Sequence, residues 1–391
     1  MILRLLISCL AFLSLSTAAS LNPSLSRRQS SACNNSPSLC SKPYNSIVHL
    51  GAHDSPFVRD ASTGFSTSGD QYYNSTVQLS AGVRLLSAQV HQSNGEYHLC
   101  HSSCDLLDAG ILSDWLREIK KWLDDNPNEV VTILLVNSDN ASPQDLGAHF
   151  TTAQLTDYAY VPPSTSVPPS GGVWPTLQEL ITANKRLMVF VGSLDNPASI
   201  PTEYAYLMDE FTFIFENPFE NVDPSNFTCN PDRPTSVQGN TEGAFSSGRM
   251  AFMNHFLYKD GVFDIQTPDV DKINITNSPG NSVGNLGYAL STCNSQYGRV
   301  PTFTLVDFFD EGPALDAVDA LNGVTTPVGR TPPPPRDTKQ DLDRSQSSFQ
   351  GVTDLVNDVK NGEKPSLGAW IWAAGQWTFG GINTNGGDVL A

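Results

Sequence analysis

Two polar residues, His53 and Asp54, directly follow the apolar run "SIVHLGA", at a point where neither side chain would contribute to a hydrophobic core. An aspartate before Ser-Pro is common in capped turns, which offers a purely structural interpretation. Histidine, however, exchanges a proton near neutral pH and can act as a general acid or base. The pair is therefore a candidate for half of an acid/base site.

Similar polar residues follow other apolar runs along the chain. They are Gln89 and His91, then His98 and His101 in "YHLCHSSC", Asn137, Glu216, Asn254 and His255, and finally Asp307 and Asp310. If the runs are parallel strands of a barrel, their carboxyl ends meet at one mouth, where active sites are built. Two histidines there would form the acid/base pair that phosphodiester cleavage requires. Taken singly, any of these residues could equally make a structural hydrogen bond.

The elements that must position these residues are seven near-continuous apolar runs, a pattern typical of parallel strands buried on both faces. The runs cover 46–54, 82–91, 129–139, 185–192, 211–218, 250–257 and 302–310. Between them, "SDWLREIKKWLDDNPNE" has apolar residues at helical spacing after a capping Ser113, and "WPTLQELITANK" has a similar form. This alternation predicts an α/β fold, specifically a TIM-type (β/α) barrel. A doubly wound open sheet is the alternative, but the first run lacks a GxGxxG phosphate loop.

The ends of the chain differ in composition from the predicted barrel. Residues 1–28 contain Arg4, an apolar stretch, "TAA" and a dibasic Arg27-Arg28, which predicts a secretory signal followed by a short pro-segment. We therefore expect a catalytic domain over 29–320. Residues 321–391 begin with a Pro-rich linker and end in a Trp/Gly-rich tail, and we expect this extension to be flexible.

Cysteines and charge agree with export. The six cysteines beyond the signal form an even set, and proximity favours Cys33–Cys40 and Cys100–Cys104, which leaves Cys229–Cys293; free thiols are the alternative. Five N-x-S/T sequons, at Asn34, Asn74, Asn140, Asn226 and Asn274, fit a secreted glycoprotein. The net charge of −18 argues against nucleic-acid binding and against attraction to anionic membranes. We expect a secreted monomer without a stable membrane anchor.

The stretches "GAHDSP", "QLSAGVRLL", "HLCHSSC", "WLDDNPNEVVTILLVN" and "TLVDFF" occur in this order over residues 43–312. In this order they resemble the phosphatidylinositol-specific phospholipase C X-domain family, and in particular secreted fungal phospholipase C-like phosphodiesterases. The resemblance implies a TIM-type barrel and a two-histidine mechanism. It implies that His53 is the general base on an inositol 2-hydroxyl and His101 the general acid for the leaving glyceride oxygen. Asp54 matches the polar residue after the first histidine, and Asp307 the carboxylate paired with the base.

The second strand departs from the family pattern. Metal-free bacterial members have Asp-x-Arg there, and calcium-dependent members have acidic residues, whereas this chain has Gln89-Val90-His91 and, on the third strand, Asn137. Because these are poor ligands for a hard cation, we predict no metal and no other cofactor. We assign binding of the substrate and its phosphate to five residues: Gln89, His91, Asn137, Glu216 and His255.

Three functions compete at this point. The leading one is a secreted phosphodiesterase that cleaves a phospholipid or glycolipid head group without metal. The missing arginine motivates a second, a catalytically weak barrel that binds an inositol or glycan head group. A metal-dependent glycerophosphodiester or sphingomyelinase D-like diesterase is the third, and it needs acidic ligands after the first strand that the sequence does not contain.

Overall fold

The computed structural model describes residues 32–194, 196–260 and 266–336. The predicted signal and pro-segment and the Trp/Gly-rich tail lie outside these residues. The described strands are β1 (His49–Ala52), β2 (Leu85–Ser93), β3 (Glu96–Cys100), β4 (Asp108–Ile111), β5 (Val131–Asn137), β6 (Leu187–Gly192), β7 (Leu207–Asp209), β8 (Ile214–Glu216), β9 (Met250–Asn254), β10 (Tyr258–Asp260), β11 (Gln266–Pro268) and β12 (Phe303–Val306). The α-helices are α1 (Ser75–Ala81), α2 (Leu112–Asp125), α3 (Pro143–Thr152), α4 (Leu177–Thr182), α5 (Glu210–Phe213), α6 (Thr241–Ser246), α7 (Ile273–Thr276), α8 (Leu286–Tyr297) and α9 (Ala314–Asn322).

Eight parallel strands form one curled sheet in the order β7-β6-β5-β2-β1-β12-β9-β8. Met208 of the edge strand β7 and Ile214 of the other edge strand β8 belong to the same buried apolar cluster as Phe303 of β12. A flat open sheet would leave its two edges far apart, so the strands curl around a common interior. The predicted TIM-type barrel is confirmed, and the open-sheet alternative is wrong.

The predicted apolar runs each contain a barrel strand, but β7 was missed because it has only three residues. The run 211–218 also begins differently from the prediction. Its first residues belong to α5, whose start is capped by the Asp209 side chain, and the strand covers only Ile214–Glu216. A short strand leaves too few residues for a periodic pattern to register.

The interior of the barrel is filled closely enough to need a glycine in β1. A Cβ atom on Gly51 would lie 2.6 Å from Leu85 Cδ2 and 2.7 Å from Leu305 Cδ1. These leucines come from β2 and β12, the strands that pair with β1 on either side. The missing side chain of Gly51 therefore leaves room for the Leu85 and Leu305 side chains to pack over β1.

The predicted helix after the second strand is α2, which buries Trp115, Ile119 and Trp122 against the sheet. Ser113 is not its cap: the helix begins at Leu112, and Ile111 precedes it without a side-chain cap. The helix in "WPTLQELITANK" is α4, where Thr176 and Glu179 form a reciprocal capping box.

Three disulfides join Cys33 to Cys40, Cys100 to Cys104 and Cys229 to Cys293. They are the pairs that proximity favoured. Among the described residues, no helix is both long and apolar enough to cross a membrane.

The first part of the predicted C-terminal extension, up to Arg336, lies along the barrel. The Arg330 guanidinium donates to both carboxylate oxygens of Asp319, at 2.6 and 2.7 Å, and Tyr73 Oη donates to the Pro334 carbonyl. At its end, the guanidinium of Arg336 lies 3.3 Å from the ring centre of Tyr72 and pairs with Glu311. We call residues 330–336 the C-terminal strap.

The strap should contribute measurably to stability. A chain ending at Gly329 should unfold with a free energy roughly 2–4 kcal/mol smaller than that of a chain ending at Arg336. It loses the partly buried ion pairs of Arg330 and Arg336 and two hydrogen bonds, from Tyr73 Oη to the Pro334 carbonyl and from the Thr331 N–H to the Ser80 carbonyl. Chemical denaturation of the two chains measures the difference. Equal midpoints would mean that the strap contacts are energetically neutral.

Candidate active site

Polar side chains from several strand ends converge at the mouth of the barrel. A cavity of about 30 Å³ lies there, and its polar lining consists of His53, Asp54, Ser87, Glu216, Arg233 and Asn254. The cavity floor is apolar, with Leu134, Phe252 and Leu305 among its residues. The buried walls shield the polar groups of this cavity from bulk water.

The His53 ring is held by two neighbours, Asp307 and Phe256. Its Nδ1 atom lies 2.8 Å from Asp307 Oδ1, because β1 and β12 pair in register and both residues directly follow those strands. The ring stacks on Phe256 with centroids 4.0 Å apart and planes 2° apart. These contacts fix the tautomer and the plane of the imidazole and leave Nε2 facing the mouth.

Asp54 lies between the two histidines. Its Oδ2 atom is 3.8 Å from His53 Nε2 and 3.6 Å from His101 Nε2. The same oxygen accepts a hydrogen bond of 2.8 Å from Gln89 Nε2, and the Asp54 backbone N–H donates to Ser87 Oγ. The backbone is in the left-handed region, with φ of 45°, a conformation that aspartate tolerates better than most residues.

His101 comes from a hairpin rather than from a barrel strand. Strand β3 returns antiparallel to β2, and the Cys100–Cys104 disulfide closes the loop that carries His101. Gln89 Oε1 accepts from the Ser102 N–H at 2.8 Å, so one glutamine holds both this loop and Asp54. The His101 ring edge packs on Phe57, with centroids 5.5 Å apart.

A carboxyl group that the sequence did not single out, that of Asp70, completes the cluster. Its Oδ2 lies 3.3 Å from His101 Nε2, the residue has no exposed surface, and neither oxygen accepts a hydrogen bond from a described residue. The Asp70 carbonyl accepts from the Phe308 N–H at 2.8 Å, which joins this loop to the end of β12. Only the loop length and a Ser/Thr-rich composition were visible in the sequence, so no local signal marked Asp70.

The pKa values of the two histidines are shifted in opposite directions by the balance of burial and nearby carboxylates. Burial by itself lowers the pKa of His53, but the charge of Asp54 and the hydrogen bond and charge of Asp307 overcome it and raise the pKa to about 10. Burial lowers the pKa of His101, and the charge of Asp54 only partly opposes it. Of the two rings, His53 therefore holds a proton more tightly than His101 does.

The pKa values of two buried acids, Asp70 and Asp307, are shifted as well. Burial raises the pKa of Asp70 well above its usual range, and the charge of Asp307 adds to this. Burial also raises the pKa of Asp307, against the opposing hydrogen bond to His53. With Asp70 neutral, the charges of Asp54 and Asp307 are balanced by protonated His53 and by Arg59, an always-charged side chain whose field acts on Asp70.

The PI-PLC X family model (PI-PLC X 1) matches residues 39–322, which include all of the barrel strands and both histidines. The "PI-PLC X domain-containing protein 1" of Arthroderma benhamiae is 38% identical over 294 residues, covering 75% of this chain and 90% of that protein. The chain belongs to the PI-PLC X domain family.

Two further relatives match over most of this chain but over less than two thirds of their own length. An "uncharacterized secreted protein" of Arthroderma benhamiae is 35% identical over 75% of this chain and 64% of its own. A PI-PLC X domain-containing protein of Arabidopsis thaliana is 26% identical over 72% and 63%. Among solved structures, the phosphatidylinositol-specific phospholipase C of Listeria monocytogenes is similar at 15% identity with a TM-score of 0.47, covering 71% of this chain and 94% of that one.

The other predicted binding residues of this PI-PLC X domain are distributed unevenly. His91 follows Gln89 on the same face of β2, and its Nδ1 lies 3.4 Å from Asp139 Oδ1 while its Nε2 has no hydrogen-bond partner among the described residues. Glu216 lines the mouth and pairs with Arg233. Glu216 therefore belongs to the cavity lining, whereas His91 does not, and the Nε2 atom of His91 is buried.

Two of the predicted binding residues are not brought to the mouth. Asn137 is buried, and its side chain donates to and accepts from the backbone of Ala141, closing the turn before α3. His255 is fully buried, with Nε2 3.0 Å from the Thr276 carbonyl and Phe227 against its ring. Alternation along a strand explains both placements: Val136 and Asn254 line the cavity, so the residue after each points away from it.

This PI-PLC X domain contains two overlapping sets of atoms that could bind a metal ion. One set comes from Asp54, Asp70 and His101 and the other from His53, Asp70 and Asp307, and the atoms within each set lie within 4.8 Å of one another. Each offers only two carboxylates and one imidazole, whereas calcium takes six to eight oxygen ligands. Gln89 presents its N–H groups, not its oxygen, to Asp54. A third set, at Cys100, Cys104 and Asp108, is excluded because its cysteines form a disulfide. The residues present therefore do not fit a calcium ion.

Proposed function

We propose that this PI-PLC X domain is a secreted phosphoric diester hydrolase that cleaves the head group of a phospholipid or glycolipid at phosphate, with His53 and His101 as the acid/base pair and without a metal. The supporting observation is the convergence of both Nε2 atoms on Asp54 Oδ2, at 3.8 and 3.6 Å, with Asp307 behind His53. Two imidazoles this close can act on opposite sides of one phosphorus atom.

The proposed reaction has two proton transfers. His53 Nε2 takes the proton from an attacking hydroxyl, which would be a head-group hydroxyl such as the inositol 2-hydroxyl, as the new P–O bond forms. A ring N–H of His101 gives its proton to the leaving glyceride oxygen as the old P–O bond breaks. Water then opens the resulting cyclic phosphate by the same two transfers in reverse, with His101 as base and His53 as acid, which completes the hydrolysis. Asp307 accepts a hydrogen bond from Nδ1 and stabilises the imidazolium that forms on His53.

The proton that His101 donates must be present before the reaction, whereas the pKa shifts of the two rings favour it on His53. Moving one proton from His53 to His101 changes no total charge, and Asp54 Oδ2 lies between the two Nε2 atoms. A pair of this kind titrates as a unit, so its pH profile reports the proton count rather than the role of either ring. The approach of an anionic phosphate to His101 would favour the reactive arrangement.

Metal independence gives a direct prediction. The carboxylates of the mouth are already opposed by Arg59 and protonated His53, so chelation should leave turnover unchanged, within measurement error. Turnover of phosphatidylinositol vesicles is measured with and without EDTA, after dialysis against the chelator. A loss that added Ca²⁺ or Zn²⁺ restores would instead place a cation among Asp54, Asp70 and His101.

The proposal of secretion rests on the predicted signal over residues 1–28, the three disulfides and the sequons. Such bridges persist in oxidising compartments. The acidic net charge argues against a nucleic acid as the partner. We propose a monomer that meets lipid without a stable membrane anchor.

A second candidate is a barrel that binds a head group with little turnover. It is motivated by Gln89 and His91, which stand where metal-free relatives have Asp-x-Arg. A panel of phosphodiesters tests both candidates: product release supports the hydrolase, while saturable binding of inositol or glycan head groups without product supports the binding protein. The panel is run at acidic and neutral pH.

A further inference from the structure

The second strand carries no arginine that could offset the negative charge of the phosphoryl oxygens. Arg233 lines the cavity and could supply this positive charge. Among the described residues that line the cavity beside His53 and Asp54, Arg233 is the only lysine or arginine. One third of its side chain is exposed. Arg59, in contrast, is buried and donates to the Thr67 carbonyl at 2.6 Å.

The backbone holds Arg233 at the mouth. The Glu216 N–H donates to the Arg233 carbonyl at 2.9 Å, and the Arg233 N–H donates to the Glu216 carbonyl at 3.2 Å. The loop after β8 is thereby joined to the end of that strand. A residue far from the strand in sequence is thus placed beside the cavity.

The side chain is oriented with one edge free. Nε donates to Glu216 Oε2 at 3.0 Å, Nη2 donates to the same oxygen, and the guanidinium lies 4.3 Å from the ring centre of Phe219. Within the described part of the chain, Nη1 makes no hydrogen bond. A planar guanidinium fixed on one edge can present its remaining N–H groups to a phosphate with little loss of side-chain entropy.

The charges around Arg233 permit an anion to approach. Glu216 is balanced by Arg233 itself. Glu210 is the next acid, and burial, together with the charge of Glu216, raises its pKa well above the usual range, so it is neutral. The ion pair of Glu216 and Arg233 thus carries no net charge, the raised pKa of Glu210 favours its neutral form, and Asp232 is the further acid whose charge acts on Arg233.

We propose that Arg233 binds a phosphoryl oxygen of the substrate, in place of the arginine that metal-free relatives carry on the second strand. The inference rests on the proposed function, since it assumes a phosphodiester at the mouth. It assigns the neutralisation of phosphate charge to a residue of the loop after β8 rather than to a residue at a strand end.

The test uses the full chain and compares phosphatidylinositol with 2-hydroxypropyl p-nitrophenyl phosphate, a diester that keeps one attacking hydroxyl but has no polyol ring. Arg233→Ala leaves Glu216 buried without its cation and so risks unfolding. The decisive variant is therefore E216Q/R233Q, which replaces the ion pair by two amides, with E216Q alone as its partner. Losing one donor to developing charge costs roughly 10²-fold in kcat, so we expect that loss in E216Q/R233Q on phosphatidylinositol and on the 2-hydroxypropyl p-nitrophenyl diester alike. E216Q keeps the cation and should lose less.

Two further variants sharpen the result. Arg299→Ala removes an arginine that packs on Phe245 away from the mouth, and should leave kcat unchanged. Adding His91→Arg to E216Q/R233Q should recover at least part of the lost kcat, because it restores a guanidinium on the second strand. Full activity of E216Q/R233Q on the p-nitrophenyl diester would overturn the inference, and so would a loss confined to polyol head groups.

Failure of the proposed function is separable from failure of this inference. If the wild type turns over no diester, the proposed function fails, and Arg233 is tested by calorimetric binding of inorganic phosphate. Phosphate should then bind the wild type at least tenfold more tightly than E216Q/R233Q, with Arg299→Ala binding as the wild type does. Equal affinities would overturn the inference.

Discussion

Replacing His53 by alanine is expected to lower kcat on phosphatidylinositol by roughly 10²- to 10⁴-fold, and His101→Ala should have an effect of similar size. Each change removes one of the two proton-transfer groups, and water cannot take over at the same position with a matched pKa. Initial rates on vesicles, at saturating substrate, measure kcat. The double variant should lose little more than either single one, because the two rings act as a unit.

The matched control for these variants is His98→Ala. His98 is on β3, next to the loop of His101, and pairs with Asp108 at 3.0 Å instead of facing the mouth. It should retain the wild-type kcat. Unchanged turnover in both His53→Ala and His101→Ala, with folded protein by circular dichroism, would remove the two-histidine mechanism.

Asp307→Asn should give the second large effect, a kcat lower by roughly 10²- to 10⁴-fold. The amide can no longer stabilise an imidazolium on His53, although its size is the same. The pKa of His53 should fall as well, because a hydrogen bond and a charge that raise it are both lost. The alkaline limb of the pH profile, near pH 10 in the wild type, should therefore move toward neutrality.

The sign of the linked stability effect follows from the same pKa. His53 binds its proton more tightly in the folded chain, so its contribution to stability is complete below its unfolded pKa of about 6.5 and is lost as the pH rises through about 10. Asp307→Asn should reduce the fall in the free energy of unfolding across this window. Denaturant melts at several pH values measure it.

Asp310→Asn is the control for the Asp307 variant. Asp310 lies on the same loop, and burial raises its pKa to about 6, but it faces Arg336 and not a histidine. Its replacement should leave the alkaline limb where it is. An equal shift in both variants would show that any loss of a buried carboxyl near the mouth changes the profile, and Asp307 would lose its special role.

The sequence was sufficient to determine the class of fold and the strand ends at which polar residues are found. Near-continuous apolar runs predict parallel strands buried on both faces, and this pattern is local. The sequence predicts that His53 and Asp307 lie close together, because each directly follows an apolar run and the carboxyl ends of parallel strands meet at one mouth. The resemblance of ordered motifs added His101.

Only the tertiary structure decided which polar residues face that mouth. His255 directly follows Asn254, yet one points outward and the other inward, because successive side chains in a strand alternate. Asp70 and Arg233 come from loops, whose positions depend on contacts with distant strands and not on any local period. The sequence predicts phosphate binding by Gln89, whereas its side-chain amide bonds to Asp54 and to the loop of His101. Local patterns fix the direction of a chain segment, whereas distances between segments arise from packing, and catalysis depends on those distances.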